Sequence, residues 1–363
     1  MSDTVRLHYE KYPYPNYPLL ASVRLCDTYA LNLTALWTRF NGELPPATAK
    51  RILIAGCGSF APYPFAVSNP TIPITALDLS EANLKRASKH CLLHGIRNVD
   101  FCRGDILDLQ TTKGPYGFID SYGVIHHMPN PLQALISLKS RLAENGFIRI
   151  MVYSRYARRE EESIRHAFRR IGVKSTVDAK RLIKRAKAGS RLKSYIEASF
   201  EARSDSGLAD ALLHPVVKTY KISEFIELVR LSGLQILQFA HNEALENISE
   251  EIERICKLET GKDSPGNFVA YLGFNTKGAY LDKYNSFLQL NPCLSKSISK
   301  ARFTNLIIPP RMGVDNPVIN RSERLKLRKF IEPVRTDELT DDELSAAYVY
   351  RKAFFLLQYK SEN

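Results

Sequence analysis

Three segments that contain glycine or aspartate follow successive apolar runs of the chain, and their residue types suit an adenosine-containing ligand. Gly56, Cys57 and Gly58 directly follow the first run, where glycines let a ligand approach the backbone near the amino end of a helix. Asp78 ends the second run, where a carboxylate can accept hydrogen bonds from two ribose hydroxyls. Asp105 follows the third run, where a carboxylate can accept a hydrogen bond from an adenine amino group. Together the three segments predict one nucleoside site.

The elements that must position these residues are short strands that alternate with helices. This alternation is typical of a parallel α/β sheet. Ser80 is a predicted helix cap, and further helices are predicted over Pro131–Ala143, where Gly146 closes the helix, and over 222–232. The apolar runs predict seven strands, at residues 51–55, 74–77, 99–102, 117–121, 147–153, 234–240 and 267–274.

The two ends of the chain are less periodic than its middle. Tyr9–Pro18 is dense in Tyr and Pro, which predicts an ordered segment packed on the core and not a helix. Thr336–Tyr359 has a helical pattern, and Thr340 with Glu343 forms a predicted capping box.

The 363 residues, 44% apolar and 25% charged, have globular composition and exceed one minimal domain. In open α/β sheets, an insertion after the central strands covers their carboxyl ends, where ligands bind. We therefore predict an amino-terminal lid at residues 1–44 and a core formed by residues 45–154 and 215–275. We also predict a basic helical insertion at residues 155–214 and a carboxyl-terminal extension at residues 276–363.

The net charge of +13 is concentrated in particular segments. Residues 155–203 hold 15 basic and 6 acidic residues, a net charge of +9. A cationic helical face could contact nucleic acid, an anionic small molecule or an acidic protein, or it could be a solvated cap. The basic residues concerned are Arg155, Arg158, Arg159, Arg165, Arg169, Arg170, Lys180, Arg181, Lys184 and Arg185.

Several function classes are not indicated. The six cysteines include no C-x-x-C pair, which favours reduced thiols over disulfides or a zinc ribbon. No run approaches the roughly 20 apolar residues that cross a bilayer, and Met1–Glu10 lacks the apolar stretch of a secretory signal. The close histidine pairs do not form an H-E-x-x-H motif. We therefore expect a soluble cytoplasmic protein without a dedicated metal site or membrane contact.

The three ligand-directed segments resemble those of the class I S-adenosylmethionine-dependent methyltransferases. The resemblance covers residues 51–154 and extends to the strand pair that ends at Phe274. It implies a Rossmann-like, doubly wound sheet of seven mostly parallel strands with an antiparallel last strand, and S-adenosyl-L-methionine as cofactor. A narrower similarity to a bacterial subgroup rests on the segments YPYP (12–15), AGCG (55–58), NP (69–70), ALDLS (76–80) and GVIHHMP (123–129).

The resemblance also implies the residues that hold the cofactor. The glycine turn would line its methionine and ribose portions, and Asp78 would hold the ribose. Asp105 would bind the adenine amino group with Ile106 packed on the ring, while Ser121 would approach the methionine portion. The full predicted set is Gly56, Cys57, Gly58, Asp78, Leu79, Asp105, Ile106 and Ser121.

His126 and His127 follow the fourth strand, where the methyl acceptor is expected. A histidine there could remove a proton from a hydroxyl or an amine, because its ordinary pKa lies near neutral pH. The pair could instead bind backbone and shape the turn around Pro129. We favour this structural role, because in-line methyl transfer from a sulfonium can proceed without a protein base.

Tyr14, Tyr17 and Tyr153 are candidates to line the acceptor pocket, although aromatic residues in such segments also serve as packing anchors. The predicted reaction is methyl transfer to an O or N nucleophile of a small molecule. One alternative is an RNA or protein acceptor docked on the basic insertion. Another is a non-catalytic module in which Phe60, at the third glycine position of the motif, blocks the cofactor. A nicotinamide oxidoreductase would fit the glycine turn but would leave Asp105 without a role.

Overall fold

The computed structural model describes residues 3–274, 285–300 and 304–360. Its largest element is a seven-stranded sheet with the strand order β3-β2-β1-β4-β5-β7-β6. Strand β7 runs antiparallel to both of its neighbours, which confirms the predicted mostly parallel sheet with an antiparallel last strand. The strands are β1 (Ile52–Ala55), β2 (Ile74–Asp78), β3 (Val99–Arg103), β4 (Tyr116–Tyr122), β5 (Leu142–Val152), β6 (Gln235–Phe239) and β7 (Phe268–Gly273).

Most residues of the central strands are buried because helices cover both faces of the sheet. All four residues of β1 are buried, and β4 is buried from Tyr116 to Ser121. Strand β1 lies between β2 and β4, so the chain leaves β1 in one direction and later returns to its other side. The carboxyl ends of β1 and β4 therefore flank the point where the order of the strands reverses, which is where such sheets bind ligands.

Helices flank the sheet, and side chains begin several of them as expected. Ser80 accepts a hydrogen bond from the Asn83 amide at 3.2 Å, which confirms the predicted cap. Thr340 and Glu343 form the predicted capping box. The helices are α1 (Asp3–Lys11), α2 (Leu33–Asn41), α3 (Pro62–Ser68), α4 (Glu81–Leu93), α5 (Pro131–Lys139), α6 (Arg159–Arg170), α7 (Thr176–Arg185), α8 (Arg191–Ala198), α9 (Asp205–Leu213), α10 (Ile222–Leu231), α11 (Ile248–Thr260), α12 (Pro292–Ser299), α13 (Arg321–Arg328) and α14 (Asp341–Lys352).

Three sequence predictions were wrong at element ends. Helix α5 stops at Lys139, and Gly146 lies within β5 and not at a helix end, because β5 already pairs with β4 at Leu142. The predicted helix over 336–359 covers only α14, since its last residues pair as a strand. The helix α1 includes Tyr9–Lys11, which the Tyr- and Pro-rich segment had suggested to be non-helical.

A second sheet lies in the carboxyl-terminal part and was not predicted. It has the order β10-β8-β9, formed by β8 (Phe287–Leu290), β9 (Val334–Arg335) and β10 (Leu356–Tyr359). Its buried residues belong to the same hydrophobic cluster as Trp37 and Ile54, so this sheet and the main sheet share one core. Residues 275–284, where the predicted extension begins, lie outside the described residues.

The helices α6 to α9 follow β5 and form the basic insertion. They pack around a small core of their own, which includes Ile164, Phe168 and Leu208. Among the described helices, none is both long and apolar enough to span a bilayer.

Candidate cofactor and acceptor site

A cavity of about 930 Å³ opens at the carboxyl ends of the central strands. Its wall combines residues of the sheet, the amino-terminal segment and the basic insertion. One part of the lining is formed by the glycine turn and the end of β2, and we call it the cofactor end. Another part is formed by Tyr9, Tyr153 and Asp210, and we call it the acceptor end.

The glycine turn at the cofactor end requires glycine for both conformation and space. Gly56 and Gly58 have φ angles of +81° and +57°, which side chains rarely adopt. A Cβ on Gly56 would lie 2.5 Å from a Val124 methyl, and one on Gly58 would lie 2.7 Å from the Tyr14 carbonyl oxygen. The buried Cys57 also lines the cavity, and burial raises the pKa of its thiol well above its usual range.

Asp78 lines the cavity beside this turn, and the protein already uses most of its hydrogen-bonding capacity. Its Oδ1 accepts hydrogen bonds from the Ser80 amide at 2.9 Å and from the Asn83 side chain at 3.3 Å. Its Oδ2 accepts one from the Gly58 amide at 2.7 Å. Burial raises the pKa of Asp78, and these hydrogen bonds oppose the rise. Since each carboxylate oxygen has two lone pairs, Oδ2 can accept one further bond.

Three residues of the predicted cofactor set follow β2 and β3, and two of them line the cavity. Leu79 and Ile106 line the cavity, and Ile106 is buried. Asp105 is not among the lining residues, and its Oδ1 accepts a hydrogen bond from the Leu107 amide at 2.9 Å.

Ser121 is buried and is not among the lining residues, so the predicted contact with the methionine portion receives no support. The reason is the alternation of a strand, in which successive side chains point to opposite faces. The neighbours Asp120 and Tyr122 line the cavity instead. Asp120 accepts a hydrogen bond from Arg149 at 2.6 Å, and this attraction opposes the rise that burial causes in the pKa of Asp120.

The amino-terminal segment is attached directly to the cofactor end. The carboxylate of Glu10 accepts hydrogen bonds from the Glu81 and Ala82 amides, at 2.7 and 3.2 Å, at the start of α4. The Tyr14 amide donates to the Asn83 side chain at 3.1 Å, and the Tyr14 carbonyl accepts from the Ser59 amide at 3.0 Å. This segment therefore closes the cavity over the glycine turn.

The acceptor end centres on a hydrogen bond between the amino-terminal segment and the insertion. The Tyr9 hydroxyl donates to Asp210 Oδ1 at 2.9 Å, and both residues line the cavity. Burial raises the pKa of Asp210 to about 6. The pKa of Tyr9 is raised chiefly by burial and further by the charges of Asp210 and Asp78, so its hydroxyl lies within the field of both carboxylates.

Of the three predicted pocket tyrosines, Tyr153 is buried, Tyr14 is partly buried and Tyr17 is half exposed; all three line the cavity. Burial raises the pKa of Tyr14, and the nearby charges of Asp210 and Glu201 raise it further. The ring of Tyr17 lies 4.6 Å from that of Phe60, measured between centroids.

The two histidines after β4 have different positions. His126 is fully buried, is not among the lining residues, and stacks on Tyr153 with centroids 3.8 Å apart. His127 lines the cavity, and its Nδ1 donates a hydrogen bond to the Val216 carbonyl at 2.8 Å. The neutral ring therefore keeps an unprotonated Nε2. Burial lowers the pKa of His127 to about 4, so the ring is neutral near pH 7.

Within the part of the chain that the structure describes, one group of side chains has the spacing of metal ligands. Its members are His8, Asp210 and His214, whose ligand atoms all lie within 4.8 Å of one another. However, Nδ1 of His214 accepts a hydrogen bond from the Val216 amide at 3.2 Å. In a neutral ring Nε2 then carries the hydrogen and has no lone pair for a metal. The donor set therefore does not suit a metal ion.

The basic residues of the insertion divide into inward and outward groups. Arg158 and Arg165 bind the buried Glu161, at 2.7 and 2.6 Å, and Arg155 pairs with Glu224 at 2.7 Å. The hypothesis that these three arginines bind phosphate is therefore not supported. The exposed group consists of Arg159, Arg169, Arg170, Lys180, Arg181, Lys184 and Arg185.

Residues that sequence reasoning missed include Asp210, Asp120 and Arg149. Asp210 belongs to the helical segment DSGLADALL, which contains no recognisable motif. Tyr9 stood in the Tyr- and Pro-rich segment, but nothing in the sequence distinguished it from the neighbouring tyrosines. The pairing of Tyr9 with Asp210 depends on tertiary structure.

The sheet order and the glycine turn with its strand-end aspartate define a Rossmann-like fold of the methyltransferase type. Residues 47–197 match a family model described as a methyltransferase domain. These residues, less than half of the chain, are therefore similar to methyltransferase domains.

One solved structure and two curated proteins are also similar to this chain. The structure of PKMT2 from Rickettsia typhi in complex with AdoHcy is similar in fold, with a TM-score of 0.57 and 15% identity over 95% of this chain and 78% of that chain. The uncharacterized protein syc1184_c of Synechococcus sp. is 26% identical over 251 residues, 66% of this chain and 60% of that protein. RP789 of Rickettsia prowazekii is 29% identical over 124 residues, 33% of this chain and 21% of that protein. The chain thus matches less than two thirds of the length of these two relatives.

Proposed function

We propose that the protein transfers a methyl group from S-adenosylmethionine to an O or N nucleophile of a small-molecule acceptor. The observation that carries this proposal is the continuity of one cavity, about 930 Å³ in volume, from the glycine turn to Tyr9 and Asp210. Donor and acceptor bound at its two ends would share one enclosed space. Such a space can align the reacting atoms and exclude water.

The residues at the cofactor end fit the donor. Gly56 and Gly58 line the cavity in a turn whose positive φ angles favour glycine, and Asp78 Oδ2 retains capacity for one hydrogen bond from a ribose hydroxyl. Leu79 and Ile106 offer apolar contacts for the adenine. When bound, the donor supplies a methyl group on a positively charged sulfur, which an O or N nucleophile can attack in line.

The residues at the acceptor end would orient the nucleophile. Tyr14 and Tyr153 supply rigid aromatic walls, and the unprotonated Nε2 of His127 can accept a hydrogen bond. The Nδ1 bond of His127 to the Val216 backbone supports a structural role for this ring. We therefore propose His127 as an orienting residue and assign no catalytic step to His126.

The non-catalytic alternative rests on obstruction of the donor by Phe60. The ring of Phe60 packs against Tyr17 at 4.6 Å and, edge-on, against His90 at 5.1 Å. Gly56, Cys57 and Gly58 still line the cavity beside it. These contacts favour Phe60 as part of the wall and make obstruction the weaker hypothesis.

A macromolecular acceptor is the second candidate, and the exposed basic residues of the insertion favour it. Removing the charges of Arg169, Arg170, Lys184 and Arg185 should then abolish transfer to an RNA or protein acceptor, and transfer should fall steeply with salt. A small-molecule acceptor should tolerate the same change. The salt dependence of transfer to each class of acceptor distinguishes the two candidates.

Two finer points belong to the same proposal. The YPYP and GVIHHMP segments would mark a bacterial subgroup of the class. A cytoplasmic location would agree with the free state of all six cysteines, because a reducing compartment keeps thiols unpaired.

The test is calorimetric titration with S-adenosylmethionine, S-adenosylhomocysteine and NADH. We expect micromolar binding of both adenosyl ligands, no binding of NADH, and loss of binding in Asp78→Ala. The matched control is Asp100→Ala, an exposed aspartate on the neighbouring strand β3. Methyl-labelled donor incubated with small-molecule, RNA and protein fractions then identifies the acceptor class. Failure of both adenosyl ligands to bind would refute the proposed function.

A further inference from the structure

We propose that Asp210 receives the proton that the methyl acceptor loses, so that its carboxylate is ionised with S-adenosylmethionine bound and protonated with S-adenosylhomocysteine bound. This inference rests on the proposed function and adds a catalytic residue to it. Neither the sequence motifs nor the family match assigns a role to this residue.

The geometry of Asp210 suits such a role. The side chain is buried on α9, yet it lines the same cavity as the glycine turn. Its Oδ1 accepts a hydrogen bond from Tyr9, and its Oδ2 has no hydrogen-bond partner among the described residues. Because the two lone pairs of Oδ2 are unused, this oxygen can accept a proton from a bound nucleophile.

The groups around Asp210 do not neutralise it by direct contact. Arg158 and Arg165 are the nearby cations, and the carboxylate of Glu161 binds both of them. From α7, Lys180 pairs with Asp205 at the start of α9. The other titratable groups near Asp210 come from α1, the segment after it, the turn after β4, the end of β5, the turn before α9 and the end of α9. They are His8, Tyr9, Tyr14, His127, Tyr153, Glu201 and His214.

The charges around Asp210 explain why its carboxyl group can release its proton near neutral pH. Burial lowers the pKa values of His8, His127 and His214, so these rings are neutral near pH 7. Burial and the charge of Glu161 raise the pKa of Asp210, whereas the Tyr9 hydrogen bond, Arg158 and Arg165 lower it. A carboxyl group with a pKa of about 6 can gain or lose its proton near neutral pH.

The positive charge on the sulfur of the bound donor would favour the ionised form of Asp210. Tyr9 lies within the field of both Asp78 and Asp210, so charge at the cofactor end acts on Asp210 through a poorly hydrated space. During transfer, the nucleophile forms a bond to the methyl carbon while the carbon–sulfur bond breaks and its electron pair stays on sulfur. The proton of the nucleophile passes to Asp210 Oδ2. The sulfur becomes neutral as the carboxylate becomes protonated, so the net charge of the cavity is unchanged.

The experiment compares the proton linkage of the two adenosyl ligands and needs no acceptor. Calorimetric titrations from pH 5 to pH 7.5, in buffers of different ionisation enthalpy, give the affinity and the number of protons exchanged. S-adenosylmethionine should bind about tenfold more weakly at pH 5 than at pH 7.5, because a pKa of about 6 requires it to expel a proton at low pH. S-adenosylhomocysteine should not weaken on acidification, and it controls for the ligand's own ionisable groups.

Three variants identify the group responsible. In Asp210→Asn the two ligands should show the same pH dependence. In Tyr9→Phe the loss of the hydrogen bond should move the midpoint for S-adenosylmethionine to higher pH, because that bond lowers the pKa of Asp210. This variant also decides the question if Asp210→Asn does not fold. Asp205→Asn, at an exposed position of the same helix, should behave as the unmodified protein.

The outcomes separate this inference from the proposed function. Equal proton linkage for both ligands, or a difference that persists in Asp210→Asn, would overturn the role of Asp210 while leaving donor binding intact. An unmoved midpoint in Tyr9→Phe would also overturn it. If neither ligand binds to the unmodified protein, the proposed function fails and this inference fails with it.

Discussion

At the cofactor end of the cavity, the hydrogen bonds that hold Asp78 join residues that are close in sequence. The bonds from Ser80 and Gly58 to Asp78 span 2 and 20 residues. At the acceptor end, the hydrogen bond between Tyr9 and Asp210 spans 201 residues. A local motif can encode the first kind of site, whereas the second exists only when distant segments pack together.

The two ends also differ in how they handle charge. At the cofactor end, three hydrogen-bond donors, two of them backbone amides, satisfy a single carboxylate. Near the acceptor end, two arginines and Glu161 form a buried ion network under the cavity wall. Buried ion pairs depend strongly on every partner, because removing one leaves another charge uncompensated. The acceptor end should therefore be the more fragile of the two.

The largest effect is expected for Glu161→Gln. This change leaves Arg158 and Arg165 without their carboxylate and should lower the free energy of unfolding by about 3 to 5 kcal/mol. Urea unfolding measures the loss. The matched control is Glu227→Gln, which breaks an exposed pair with Arg230 and should cause no measurable change. Equal effects of the two variants would contradict the expected fragility of the buried ion network.

An intermediate effect is expected for Gly58→Ala at the cofactor end. The new Cβ would meet the Tyr14 carbonyl oxygen at a φ angle of +57°, so the amino-terminal segment must shift. We expect a loss of about 2 to 3 kcal/mol in stability and at least tenfold weaker donor binding, roughly 1.4 kcal/mol. Gly95→Ala, at a φ angle of +71° with open space around it, should cost only about 1 kcal/mol. Unfolding and calorimetry on both variants separate the contact from the conformational strain.

The smallest effect is expected for helix caps at the two ends. Ser80→Ala removes the cap of α4 and should cost about 1 kcal/mol, as should Ser190→Ala at the start of α8. Donor affinity should fall about threefold in Ser80→Ala, because α4 begins beside Asp78, and should stay unchanged in Ser190→Ala. If the Ser190 change weakened donor binding as much, the loss would not be specific to the cap beside Asp78.

Much of the fold followed from the sequence because its signals are local. Apolar runs of strand length marked all seven strands of the main sheet, and Ser80 and Thr340 marked helix starts that the structure confirms. The predictions of secondary structure were wrong where pairing with a distant strand decides the conformation of a segment. The pattern predicts a helix end at Gly146, but pairing of β5 with β4 includes this position in the strand. Leu356–Tyr359 continued a helical pattern, but pairing with β8 makes it a strand.

The residues of the candidate site likewise divide into those that local sequence signals predict and those that only tertiary packing brings together. The sequence by itself determined the glycine turn, Asp78 and Ile106, because a strand followed by a turn and a strand-end carboxylate need only local geometry to come together at one sheet edge. Only the tertiary structure decided that Asp120 and not Ser121 lines the cavity, and that Tyr9 meets Asp210. The physical reason is that burial and the approach of distant side chains depend on how helices pack, and no single segment contains that information.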